Sequence, residues 1–145
     1  MSKERPNPRY QYGPGPWDDE PDRLEFEAHG LPCLMRRQDL GAWCGYAAVS
    51  PGHPLHGKHW DEVDLYAHGG ITYAAGCSAD GEICHVPKPG EPDDVWWFGF
   101  DCAHCDDLVP WMVGQGMGIG EYRDVDYVKN QCIELAAQLK ELANG

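Results

Sequence analysis

The stretch DVDYVKNQCIELAAQLKELANG, from Asp124 to Gly145, decides the fold class. Val125, Val128, Cys132, Leu135, Leu139 and Leu142 recur at steps of three and four, which places them on one stripe of a helix. Asp124 stands where an N-cap carboxylate would take the first free N–H groups, and Asn144-Gly145 supplies a stop. An apolar stripe needs a surface to cover. A sheet in the same chain is one candidate, and a second copy of the helix is the other, so the chain is expected as a monomer or homodimer.

The sheet is legible upstream. LPCLMRR (Leu31 to Arg37) and WCGYAAVS (Trp43 to Ser50) are strand-like and are joined by QDLGA, a hairpin connection. GITYAAG (Gly70 to Gly76) and VWWFGFD (Val95 to Asp101) are rich in aromatic and β-branched residues. SADGE and PKPGEPDD between them are turn chemistry. GKHWDEVDLYAHG has room for a short helix with Trp60 and Val63 on one side. The expected architecture is α+β: a small antiparallel sheet with one long C-terminal helix packed on it. Residues 1–22, with five prolines among Tyr10, Tyr12 and Trp17, read as an extended arm that packs on the body or trails from it. Residues 23–145 form the single α+β domain.

A chain of 145 residues with 42% hydrophobic content supports one core. Its net charge of −13 is unevenly spread: twelve Asp or Glu lie between Lys58 and Arg123, where Lys88 is the only cation. Such a field repels nucleic-acid backbones and favours metal ions or basic protein surfaces. No apolar run approaches the roughly 20 residues that span a bilayer, and the opening MSKERPNPRY is polar, so membrane contact is not expected and a cytoplasmic location is. Seven cysteines, an odd number, then read as reduced thiols, core residues or metal ligands.

Three constellations carry chemistry. At the end of VWWFGFD, Asp101, His104 and Asp107 follow at steps of three, bringing carboxylates and an imidazole to neighbouring positions. That set suits Zn, Mn or Fe, or an acid–base pair in which a carboxylate orients the histidine. The plainer alternative makes Asp101 a turn cap and the other two solvated groups. CAHC (Cys102 to Cys105) is a C-x-x-C that would need Cys84 and His85 to complete a zinc site. AHGG (Ala67 to Gly70) sets His68 beside two glycines whose backbone can approach a ligand, or simply makes a turn. SPGHPLHGKHW spaces His53, His56 and His59 by three, but its prolines and glycines forbid a regular helix, so the loop is expected to border a pocket rather than supply all its ligands. Phosphate-binding glycine loops, nucleophile-elbow serines and H-E-x-x-H are missing from the sequence.

GYAAVSPGHPLHG, HGGITYA, WWFGFDCAHCDDLVP and YRDVDYVKNQCIELAAQL, in this order, resemble a family of small uncharacterised proteins of tailed phages and prophages. The resemblance runs from about Gly45 to Leu139 and rests on the HGG and GFD-C-x-H blocks. Carried over, it highlights His68, Gly69, Gly70, Asp101, His104 and Asp107. Cys105 stands where the family pattern expects a small residue, which weakens the C-x-x-C as a zinc motif. The resemblance implies a role in host takeover or in blocking bacterial defence, inside the host cytoplasm.

Two functions follow as expectations. In the first, His68, Asp101, His104 and Asp107 converge on a divalent metal (His68, Asp101 and His104 its ligands) or a small polar ligand. Gly69, Gly70, Trp96, Trp97 and His53 shape the walls, and metal-assisted hydrolysis is the natural chemistry. In the second, the protein is an acidic inhibitor or adaptor docking on a basic host protein surface, its carboxylates replacing phosphates.

Overall fold

The computed structural model describes residues 15–38, 40–77, 83–84, 94–103, 107–116 and 118–143. Five strands, β1 (Arg23–Ala28), β2 (Leu31–Arg37), β3 (Trp43–Val49), β4 (Tyr73–Gly76) and β5 (Trp96–Asp101), form one sheet in the order β1-β2-β3-β5-β4. Every neighbouring pair is antiparallel. A short helix α1 (Pro110–Gly114) precedes the long helix α2 (Val125–Ala143). The α+β architecture is therefore the one the sequence pattern implies.

β1 was not among the expected strands. Its residues alternate Leu24, Phe26 and Ala28, which pack on the core, with exposed Glu25 and Glu27. The β1–β2 turn holds His29 at φ 52° and Gly30 at φ 79°, the paired left-handed conformation of a two-residue I′ hairpin. Side chains alternate across each strand, so the sheet has two apolar faces. Met35, Trp43, Ala47, Phe98 and Phe100 meet α2, while Leu34, Tyr46, Ala48, Val95 and Trp97 form a separate cluster on the other face.

On the helix side, Val128, Cys132, Leu135, Ala136 and Leu139 are all buried. Leu142, assigned to the stripe from its spacing, is 41% exposed and has run past the sheet. The Asp124 cap forms, its carboxylate accepting the Tyr127 N–H at 2.8 Å; Asn144 and Gly145 lie outside the described residues. Gly45 permits the close approach of helix and sheet, since a Cβ there would sit 2.6 Å from Cys132 Sγ and 2.5 Å from the Phe100 ring. The expected helix around Trp60 reduces to one 3₁₀ turn, Trp60–Glu62, with Trp60 exposed and Val63 packed inward.

The arm is integrated with the domain from Gly15 onward. Pro16–Asp19 form a 3₁₀ turn and Trp17 is 2% exposed, packed edge-on against Tyr122 with ring centres 5.3 Å apart. Just beyond, Glu20 enters a buried polar network that no sequence pattern announced. Its Oε1 accepts from Arg37 Nη2 at 3.0 Å, from Trp43 Nε1 at 3.1 Å and from the Tyr122 hydroxyl, while Oε2 accepts the Val125 N–H at 2.8 Å. Arg37 is closed as thoroughly, donating also to Asp22, the Gly41 carbonyl and Tyr122, with its guanidinium 4.5 Å over the Trp43 ring. One carboxylate thus ties the arm, two strands and the first N–H of α2 together.

Two of the cysteines depart from the expectation of reduced thiols. Cys77 and Cys84 are joined in a disulfide, so Cys84 has no thiolate to offer a zinc site with Cys102. Cys33, Cys44, Cys102 and Cys132 are free and buried. Burial pushes the Cys33 thiol up to about 12 and raises those of Cys44, Cys102 and Cys132, the behaviour of unreactive core residues. His85 and Cys105 lie outside the described residues.

Candidate functional site

Three segments meet at the N-terminal end of α2. The first is the turn Ala67–Gly70, closed by the Gly70 N–H donating to the Ala67 carbonyl at 2.9 Å. Its third residue, Gly69, has φ 71°, the left-handed position of a type II turn, so a glycine is required directly after His68. The second segment follows β5: Asp107 pairs with Glu121 in a short parallel bridge, and the Leu108 N–H donates to the Glu121 carbonyl at 2.9 Å. The third is the entry to α2, which supplies Arg123 and Tyr127.

Asp107 lies at the centre, its side chain 1% exposed. His68 Nε2 is 2.7 Å from Oδ1 and 2.9 Å from Oδ2, and Arg123 Nε donates to Oδ1 at 2.9 Å. The other imidazole nitrogen, Nδ1, is 2.7 Å from the Tyr127 hydroxyl, with the two rings 87° apart. Protons can be assigned from this pattern. An ionised carboxylate only accepts, so the His68 hydrogen that faces Asp107 is on Nε2, and in the neutral imidazole Nδ1 then has a lone pair for the Tyr127 O–H. In that tautomer the chain is directed: Tyr127 donates to His68, and His68 donates to Asp107.

Arg123 fixes the far end of the chain. It bonds Asp107, reaches Glu121 at 3.4 Å and lies 5.1 Å over the Tyr127 ring. The hydrogen bond to Asp107 raises the Arg123 guanidinium further above its usual value, so it stays charged. Burial raises the Tyr127 hydroxyl against the lowering effect of Arg123, which keeps it protonated and a donor at neutral pH.

The other expected site residues that are described are engaged by different partners. Asp101, at the end of β5, accepts from the Ala103 N–H at 3.1 Å and from Thr72 Oγ1 at 3.4 Å, which is turn-capping geometry. Trp97 is fully buried in the cluster on the sheet face away from α2. Trp96 donates to the Lys58 carbonyl at 2.9 Å and packs by His56. His53 accepts the Leu55 N–H at Nδ1, 3.0 Å, and donates from Nε2 to the Leu139 carbonyl at 2.7 Å, pinning its loop to α2. His56 and His59 make separate contacts, to the Asp94 carbonyl and to Asp61, so the three-residue spacing has no common focus. His104 lies outside the described residues.

Arg123 and Tyr127 were missed. Both lie in YRDVDYVKN, where the helical pattern claims attention for its apolar positions; Tyr127 stands next to the stripe, one residue before Val128. The usable signal was an arginine just ahead of a helix whose first turn is acidic, an unfavourable place for a cation unless it has a carboxylate of its own.

Among the described residues no three His, Cys, Asp or Glu side chains group as a metal site would require. Both nitrogens of His68 are engaged, one by Asp107 and one by the Tyr127 hydroxyl. Among the same residues, no helix is long and apolar enough to cross a membrane. A scan against protein-family models found no match, and searches of curated proteins and of solved structures found none either.

Proposed function

We propose that the protein binds a small polar ligand at the Tyr127 end of the Tyr127–His68–Asp107 chain, and that the chain moves a proton to or from it. The supporting observation is the directed hydrogen bonding itself, anchored on a carboxylate with 1% side-chain exposure. Burying a carboxylate carries a desolvation cost, and stability alone is a weak reason to retain such a pair. The Glu20–Arg37 network gives the contrast. Its two central charges, 2% and 8% exposed, are both closed off from solvent and tie the arm, β2, β3 and α2 together, as a structural link does. The Asp107 cluster instead reaches the surface, with His68 13% and Arg123 17% exposed.

In this reading Asp107 and Arg123 are positioning residues, His68 is the base and Tyr127 is the group that meets the ligand. With its one hydrogen given to the imidazole, the Tyr127 oxygen accepts from a ligand N–H or O–H and can take that proton as its own passes to His68.

The test is a ring-¹⁵N and aromatic-¹H titration of the protein with separate panels of carboxylates, amides, nucleosides and sugars. At least one panel should shift His68 and Tyr127 together, and Tyr127→Phe should weaken that response at least tenfold. Silence from every panel, or responses unchanged by Tyr127→Phe, would remove the proposal.

The charge of −13 favours a second reading, docking on a basic protein surface. Combined with the resemblance to phage proteins, such a surface would be a nucleic-acid-binding groove of a host enzyme in the bacterial cytoplasm. Binding of polylysine that falls steeply between low and physiological salt, and is indifferent to Tyr127→Phe, would support it.

A further inference from the structure

We infer that one edge of α2, together with the stretch Val63 to Ala67 laid along it, is a docking face for an arginine-bearing surface of a partner protein. This rests on the reading of the chain as one that docks on a basic surface, and it names the face that docks and the residue it grips. The stretch alternates as an extended chain does: Val63, Leu65 and Ala67 pack on the core, while Asp64 and Tyr66 stand out in solvent. Tyr66 is 78% exposed, yet its backbone is fixed. The Tyr66 N–H donates to Gln138 Oε1 at 2.7 Å, and Gln138 Nε2 donates back to the Tyr66 carbonyl at 2.8 Å. One side chain of α2 thus satisfies both backbone groups of the tyrosine. The ring is presented from a rigid mount, with little backbone freedom left to lose on binding.

The charges around that ring decide what it fits. Glu134, Gln138 and Glu141 recur at steps of four and three, so they share the edge of α2 along which Tyr66 lies. Both glutamates are exposed, as is Asp64, and Leu142, 41% exposed, adds an apolar contact one turn past Gln138. The lysines of α2 lie on its other side. Lys129 Nζ is 5.3 Å from the Phe26 ring of β1, and Lys140 Nζ is 4.0 Å from where a Cβ on Gly30 would stand, in the β1–β2 turn. In the sequence no Lys or Arg falls between Lys58 and Lys88. An exposed ring rimmed by carboxylates fits a guanidinium, which stacks its plane on the ring and gives its N–H groups to the acids. An ammonium has no plane to stack and fits less closely. A second copy of the chain, with its charge of −13, would bring like charge to the same rim.

The test measures binding of oligoarginine and oligolysine peptides of equal length to the full chain at physiological salt, where charges more than about 8 Å apart are largely screened. Wild type should bind oligoarginine about threefold tighter than oligolysine, the scale of an exposed cation–π contact. Tyr66→Ala should erase that preference, and Tyr66→Phe, which keeps the ring, should retain it. Glu134→Gln/Glu141→Gln should weaken both peptides about fivefold. Asp19→Asn/Asp126→Asn, an equal change of charge placed elsewhere, should alter binding by less than about twofold. All the side chains replaced are exposed, so the variants keep the fold. A preference for oligoarginine that survives Tyr66→Ala, or equal losses from the two charge pairs, would overturn this face while the docking reading stood. No binding of either peptide by wild type, even at low salt, would remove both.

Discussion

Replacing Glu20 with alanine is expected to destabilise the fold by about 3 kcal/mol, since breaking a buried ion pair typically costs about 3–5 kcal/mol. Arg37, 2% exposed in its side chain, would lose its buried carboxylate, and Trp43 Nε1, the Tyr122 hydroxyl and the Val125 N–H would each lose an acceptor. Asp22, still 3.0 Å from Arg37 Nε, keeps the effect at the lower end of that range. For a chain of this size the melting temperature should fall by roughly 10 °C. Exchanging both partners, Glu20→Gln with Arg37→Met, should cost less than Glu20→Ala, because no charge is then left buried alone. Burial by itself would raise the Glu20 carboxyl, but hydrogen bonds from Tyr122, the Val125 N–H, Arg37 and Trp43 outweigh it and hold the group below its usual 4.5. A depressed folded-state value means that its contribution is complete above about pH 4.5 and fades as the pH falls through the folded value. The stability gap between wild type and Glu20→Ala should therefore narrow in acid. A constant gap from pH 7 to pH 3 in urea unfolding would contradict the assignment.

Asp107→Ala is the second large effect, about 1–3 kcal/mol, the usual cost of leaving buried polar partners unsatisfied. It should be smaller than the Glu20 change because Arg123, 17% exposed, can turn to solvent when its carboxylate is gone. His68 has less freedom: its turn is fixed by Gly69 and its Nδ1 by Tyr127, so Nε2–H is left facing the vacated position. The urea midpoint should drop with an unchanged slope, showing a loss of stability without a change in compactness. A midpoint equal to wild type would mean that Asp107 is not buried between these donors.

How much of this was legible in the sequence differs between fold and site. Period was informative wherever a face is buried: the steps of Val128, Cys132, Leu135 and Leu139 gave the helix, and LPCLMRR matched β2 residue for residue. β1 carries the same signal in Leu24-Glu-Phe26-Glu-Ala28, but its glutamates make it look like a charged connector. Leu142 followed the period and was still exposed, because periodicity does not say where the sheet stops. The site was half legible. His68 beside twin glycines and Asp107 beyond the tryptophan-rich strand could be proposed from residue type, and they meet at 2.7 Å. Arg123 and Tyr127 could not, since contacts spanning 16 and 59 residues depend on how strands and helix are assembled. Glu20 and Arg37 were hidden for the same reason: nothing local distinguishes a solvated charge from one whose partner lies elsewhere in the chain. At His53, His56 and His59 the prolines and glycines had already made the equal spacing uninformative, and loop backbone turns each ring toward a different neighbour.

The most direct measurement is the ring-¹⁵N spectrum of His68 near neutral pH, in wild type and in Asp107→Asn. Wild type should show a single tautomer, hydrogen on Nε2 and none on Nδ1. In the variant the amide NH₂ can donate where the carboxylate accepted, which drives the hydrogen to Nδ1. A wild-type imidazole that is averaged between tautomers, or protonated on Nδ1, or unmoved by Asp107→Asn, would contradict the directed chain from Tyr127 to Asp107.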